Sequence, residues 1–197
     1  MKIVSVRMKL VFATNNKHKL EEIRRMLPES YELISLRELG CTQDPPETHQ
    51  TIEENALEKA LFVYNRYKVP CFADDSGLEV DALNGEPGVF SARYAGEEKD
   101  PAKNIAKLLH ELKEARNRVA RFKTVIAYVD PGGHRIFTGT IQGEIMPQPE
   151  GVQGFGYDPV FRPDGYSVSF ASMPAEEKNK ISHRAKAFNL LINFLNK

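Results

Sequence analysis

Residues 10–36 read LVFATNNKHKLEEIRRMLPESYELISL. Leu10–Thr14 is a short continuous apolar run, as expected of a strand covered on both faces. A polar turn follows, and then Leu20, Ile23 and Leu27 recur at helical spacing with charges between them. Tyr31–Leu36 is strand-like again. Strand, turn, helix and strand in that order make a βαβ-type opening, which decides the fold class as α/β. Later strands that turn antiparallel would make it mixed α+β.

Downstream of that unit, residues 40–50 (GCTQDPPETHQ) form a loop rich in proline and polar residues. Thr51 and Glu54 then make a capping box ahead of Ala56, Ala60 and Val63. The spacing predicts a helix to about Tyr67, ended by Pro70, and a strand starting over Cys71–Ala73. From Gly77 to Tyr94, glycines and Pro87 interrupt regular structure. Asp100-Pro101 reads as an N-cap with proline at the first helical position, leading a helix that buries Ile105, Leu108, Leu109 and Leu112. Arg121–Val129 and His134–Ile145 are rich in β-branched and aromatic residues, and DPGGH (130–134) between them is a hairpin turn. A last helix begins near Ser182 and buries Phe188, Leu191, Ile192 and Leu195. A mixed sheet is expected, with parallel strands first and antiparallel strands later.

Bulk properties narrow the function classes. The 197 residues are 41% hydrophobic, enough for one domain (1–197) with a real core, in one piece or two lobes. Lys plus Arg and Asp plus Glu both number 27, so the formal net charge is zero. That argues against a nucleic-acid partner, which favours a basic surface, but permits a local cationic cluster for a small anion. Cys41 and Cys71 form no C-x-x-C pair, so two reduced thiols in a cytoplasmic protein are expected. No run approaches the roughly 18 to 20 apolar residues of a membrane span, so no membrane partner is expected. The opening MKIVSVRMKLVFAT lacks the long apolar stretch and cleavage site of a signal peptide. Met8 is an alternative start to Met1.

Four groups of residues could carry chemistry. Thr14-Asn15-Asn16-Lys17-His18-Lys19 lies between a strand end and a helix start, where backbone N–H groups and the helix dipole favour an anion. Its side chains add donors suited to phosphate, although it is not a P-loop and is equally readable as an ordinary capped turn. Asp74-Asp75-Ser76-Gly77 places two like charges side by side. Side chains alternate across a strand, so the pair shares a face only if the strand ends there. A hard divalent cation, Mg²⁺ or Mn²⁺, would offset their repulsion. Glu47 or Glu54 could complete the carboxylates, and an Asx-turn into Gly77 is the plainer alternative. The third group, GFGYDPVF (154–161), holds Phe155 between glycines, where an aromatic ring can stack on a planar base or pack into the core. The fourth is Lys178 with Ser182-His183-Arg184. Cations at a helix N-terminus oppose the dipole and hint at an anion or polar ligand.

ATNNKHKLEEI (13–23), FADDSGLEVDALNGEPGVFSARYAG (72–96), GFGYDPVF (154–161) and EEKNKISHRAKA (176–187) together resemble one family, in its order and spacing and over nearly the whole chain. It is the Ham1-type, or inosine triphosphatase-like, nucleoside triphosphate pyrophosphatase family. The family often has glycine where this chain has Asn15, a residue that tolerates left-handed backbone. The resemblance implies a long curved mixed sheet flanked by helices, two lobes around a cleft, and a homodimer. It implies Mg²⁺-dependent cleavage of ITP, dITP and XTP to monophosphate and pyrophosphate. It also implies site roles. Thr14, Asn15, Asn16, Lys17, His18, Lys19 and Ser76 would hold the substrate. Phe155, Gly156, Tyr157, Asp158, Lys178, His183 and Arg184 would meet the base. Asp75 would bind the metal and activate water, supported by Asp74 and by Glu47 in preference to Glu54. A Maf-like pyrophosphatase or a nucleotide-binding regulator without turnover are the rival classes.

Overall fold

The computed structural model describes residues 7–197; the expected start at Met1 lies outside them, and Met8 opens the first strand. The first strands and helices are β1 (Met8–Phe12), α1 (Lys17–Met26), β2 (Tyr31–Ser35), α2 (Ile52–Tyr67) and β3 (Cys71–Val80). A two-residue β4 (Pro87–Gly88), α3 (Pro101–Glu111), β5 (Val119–Asp130) and β6 (Gly133–Ile145) follow. The chain closes with β7 (Phe161–Pro163), α4 (Ala175–Ile181) and α5 (His183–Leu195). The strands pair in the order β2-β1-β3-β5-β6-β7, with β4 on β3. Parallel pairs come first, β1 with both β2 and β3. The β3–β4 and β6–β7 pairs are antiparallel. The fold is therefore the mixed α/β sheet that the opening residues predict.

The chain divides into two compact units. The first comprises, among the described residues, 7–75, 125–137 and 191–197. In it β1 pairs in register with β3, so Phe12 lies opposite Phe72 and their rings stack with centroids 4.3 Å apart. Both rings are fully buried, each stabilising the unit by roughly 2–3 kcal/mol. Helix α2 starts as the sequence predicts: the Thr51 hydroxyl accepts from the Glu54 N–H at 3.2 Å. The hairpin tip between β5 and β6 is a tight turn, with the Asp130 carboxylate accepting from Gly132 N–H at 2.8 Å.

The second unit comprises residues 76–124 and 138–190. Its core gathers Leu78, Leu108, Phe122, Phe161 and Phe170. Asp100 caps α3 by accepting from Ala102 and Lys103 N–H groups, with Pro101 at the first helical position. Gly139 has no room for a side chain: a Cβ there would lie 2.1 Å from the His183 carbonyl oxygen, so β6 and the start of α5 meet backbone to backbone.

Two elements differ from the sequence reading. The strand that starts at Cys71 does not break at Gly77 but runs through both aspartates and Gly77 to Val80. The cations of the last segment also do not share one helix. Lys178 belongs to α4, toward its C-terminal end, and only His183 and Arg184 open α5. Ser182 is the break, with its N–H closing α4 on the Lys178 carbonyl.

Candidate active site

The first unit holds a buried cluster of acids and lysines. Because β3 continues as a strand, Asp74 and Asp75 point to opposite faces, and each meets a different helix. Asp74 accepts from Lys19 of α1 at 2.8 Å. Asp75 accepts from Lys59 of α2 at 2.8 Å, and the same ammonium reaches Glu47 at 2.8 Å. Three carboxylates thus face two ammonium groups. Burial alone would push the Lys59 ammonium down, but Asp75, Glu47 and Asp74 outweigh it and hold it above its ordinary value. Burial pulls the Asp75 carboxyl up, against the opposing pull of Lys59 and Lys19. The first direction follows from carboxylates gathered around one ammonium, and the second from the dryness of the site. Removing one partner of such a buried pair typically costs about 3–5 kcal/mol.

The turn before α1 is built as a cap. The Thr14 hydroxyl accepts from Asn16 N–H, and the Asn16 side chain accepts from Lys19 N–H, each at 3.2 Å. Asn15 donates to Asp44 at 2.6 Å, while Lys17 and His18 are exposed. Of the two candidate glutamates, Glu47 stands on Lys59 beside Asp75, whereas Glu54 bonds the Thr51 hydroxyl at 2.7 Å inside the capping box.

Among the described residues no three Asp, Glu, His or Cys side chains converge as a finished cation cage. The donor set nonetheless fits Mg²⁺. That ion is usually held by one or two carboxylates with water and substrate phosphates completing its shell. Asp75 with Glu47 would supply the carboxylates and, with them, the attraction for a cation.

The second unit holds a cluster of cations around an aromatic ring. Gly154 and Gly156 take positive φ, +76° and +63°, on either side of Phe155. A Cβ on Gly154 would lie 2.1 Å from an Asp158 carboxylate oxygen, so glycine is required there. The same oxygen accepts from Phe155 N–H and from the Lys178 ammonium, both at 2.7 Å. The Lys178 ammonium lies 5.5 Å from the Phe155 ring centroid, and so does the Arg184 guanidinium. Arg184 also donates to the Ser76 hydroxyl at 3.1 Å, and Ser76 shares a 2.6 Å hydrogen bond with Thr124. His183 stacks on Phe122 with centroids 4.6 Å apart. Tyr157 donates to the Ser91 carbonyl at 2.9 Å, with its ring in the core. Here two cations, Lys178 and Arg184, stand on one ring, and Asp158 holds the first.

Sequence reasoning missed two residues. Lys59 sits on the buried stripe of α2, between Ala56 and Ala60; a lysine at that helical phase is the signal that could have exposed it. Thr124 lies fully buried on β5 in an apolar stretch and carries no comparable signal.

The Ham1 family model matches residues 10–194. The chain is 54% identical over 188 residues to a dITP/XTP pyrophosphatase of Flavobacterium johnsoniae, covering 95% of this chain and 98% of that protein. It is 44% identical over 189 residues to a dITP/XTP pyrophosphatase of Bacillus subtilis, covering 94% and 96%. Its fold is similar to that of the Ham1 protein of Staphylococcus aureus, with a TM-score of 0.87, 43% identity, and 95% and 98% of the two chains covered.

Proposed function

The chain belongs to the Ham1 family, and from that premise we propose that it hydrolyses ITP, dITP and XTP to the nucleoside monophosphate and pyrophosphate. The observation that carries the chemistry is the acid–lysine cluster of the first unit, with three carboxylates facing two ammonium groups. A bound Mg²⁺ would offset the triphosphate's charge and stabilise the leaving pyrophosphate. Asp75 and Glu47 would hold it, with Asp74 in support. Asp75, its proton affinity raised by burial, takes a proton from the water that attacks the α-phosphorus. Lys59 keeps Asp75 and Glu47 oriented. Lys19, Asn16 and the backbone of residues 14–19 receive the phosphates at the N-terminus of α1, where the dipole favours an anion. Asn15, Lys17 and His18 belong to that same turn, and Ser76 also contacts the substrate.

The base falls to the second unit. Phe155 supplies a face for stacking. Hypoxanthine and xanthine carry an acceptor oxygen at C6, where adenine carries a donor amine. Lys178 and Arg184 only donate, so they pair with the oxygen and meet a second donor in adenine. His183 and the backbone of residues 155–158 complete this edge. Asp158 contributes by fixing both Lys178 and the Phe155 N–H. The protein works in this reading as a two-lobed homodimer in the cytoplasm. No helix among the described residues is long and apolar enough to cross a membrane.

One assay tests the function: pyrophosphate and monophosphate release from ITP, dITP, XTP, ATP and GTP, with and without Mg²⁺. Release from the first three, lost on chelation, is expected. Equal release from ATP, whose base carries the amine at C6, would overturn the base assignment, and turnover in chelator would overturn the metal.

A further inference from the structure

Helix α2 grips the loop that precedes it residue by residue. Lys59 holds Glu47 at 2.8 Å. Glu58 accepts from the Thr48 N–H at 3.0 Å and from its hydroxyl at 2.9 Å. Asn55 accepts from the His49 N–H at 2.9 Å and donates to the His49 carbonyl at 3.2 Å. Asn55 is only 1% exposed, so its carboxamide pays the full cost of desolvation unless both ends are bonded. Both ends go to one residue, as a neighbouring strand's peptide would. The backbone so fixed lies two residues from Glu47.

We infer that Asn55 is a positioning residue for Glu47, presetting the backbone of residues 47–49 so that the Glu47 carboxylate stands beside Asp75 before a divalent cation arrives. The inference rests on the assignment of Glu47 and Asp75 as cation ligands. Its physical basis is preorganisation. A glutamate on an unpinned loop must lose conformational freedom when it binds a cation, and a pinned one has already lost it.

The second unit supplies an internal control. Asn104 of α3 is 4% exposed and uses the same device on a different loop. It accepts from Ala95 N–H at 2.7 Å and donates to the Ala92 carbonyl at 3.0 Å. Asn55→Ala and Asn104→Ala therefore remove equivalent bonds, and a general loss of stability would affect both alike.

The test uses the full chain and Mn²⁺ alone, with free Mn²⁺ followed by its EPR signal. Asn55→Ala is expected to raise the Mn²⁺ Kd on the order of 10-fold, while Asn104→Ala leaves it within about twofold. Hydrogen exchange at the His49 amide should quicken in Asn55→Ala alone. Unchanged Mn²⁺ binding by Asn55→Ala, or equal weakening by both variants, overturns the positioning role. Glu47→Gln and Asp75→Asn separate the two layers. If they lose Mn²⁺ and Asn55→Ala does not, only the positioning role falls. If they retain it, the cation assignment falls too. Should Asn55→Ala fail to fold, Glu58→Ala loosens the same loop at Thr48 and must weaken Mn²⁺ in the same direction; no change overturns the inference.

Discussion

The two clusters use the same parts in opposite proportion. In the first unit Glu47, Asp74 and Asp75 face Lys19 and Lys59, leaving an acid in excess. In the second, two cations, Lys178 and Arg184, crowd one ring, and Asp158 holds Lys178. Each holds a buried lysine–aspartate pair with both side chains nearly inaccessible. The pair itself therefore says little about purpose. What differs is the company each pair keeps: further carboxylates in the first cluster, a second cation and an aromatic ring in the second. In the proposed reaction the first would serve a metal–triphosphate and the second an oxo-purine.

That contrast can be broken by experiment, starting where the effect is greatest. Asp75→Asn removes the group proposed to accept the water's proton and should lower kcat on the order of 10³-fold on every substrate, with the ITP-to-ATP ratio unmoved and circular dichroism unchanged. A changed ratio would show that the first unit also selects the base. Lys178→Met should do the reverse. The ITP-over-ATP preference in kcat/KM should shrink on the order of 10²-fold, mostly through loss of ITP turnover. Phe155→Ala removes the stacking face and should raise KM about 10-fold for all purines, as loss of one base–aromatic stack does. A selective effect on one purine would refute a purely stacking role. Thr51→Ala removes the α2 cap at a cost of about 1 kcal/mol. Calorimetry should then show Tm lower by roughly 3 °C, with base preference intact.

The smallest effect concerns Cys71, whose thiol burial pushes up to about 12. Iodoacetamide at pH 8 should leave it unlabelled until the first unit opens. Its raised value means the associated stabilisation is complete below the thiol's ordinary range and fades as pH climbs toward 12. Ready labelling at pH 8 in the native protein would show the first unit opening locally.

Much of this was legible in residues 10–36, where one strand–helix–strand unit set the class, and in caps such as Thr51 and Asp100, because those signals are local. The full length of strand β3 was not, since Asp74, Asp75 and Gly77 each disfavour a strand locally, and the lysines that pair with the two aspartates sit on two different helices. The short α4 was hidden because seven residues carry too little periodicity to separate it from α5. Lys59 was missed because its role depends on loop residue Glu47, twelve positions earlier, being brought back to it by folding.

One consequence follows from the run of β3 through both aspartates. Substituting either acid damages one partnership, but adding or removing a single residue between Cys71 and Asp74 reverses their parity. Asp74 would then face α2 and Asp75 would face α1, with every neighbouring side chain turned from one face of the strand to the other. The segment should therefore tolerate point changes at its apolar positions better than any odd-length insertion. Changes in its length are expected to survive only in steps of two.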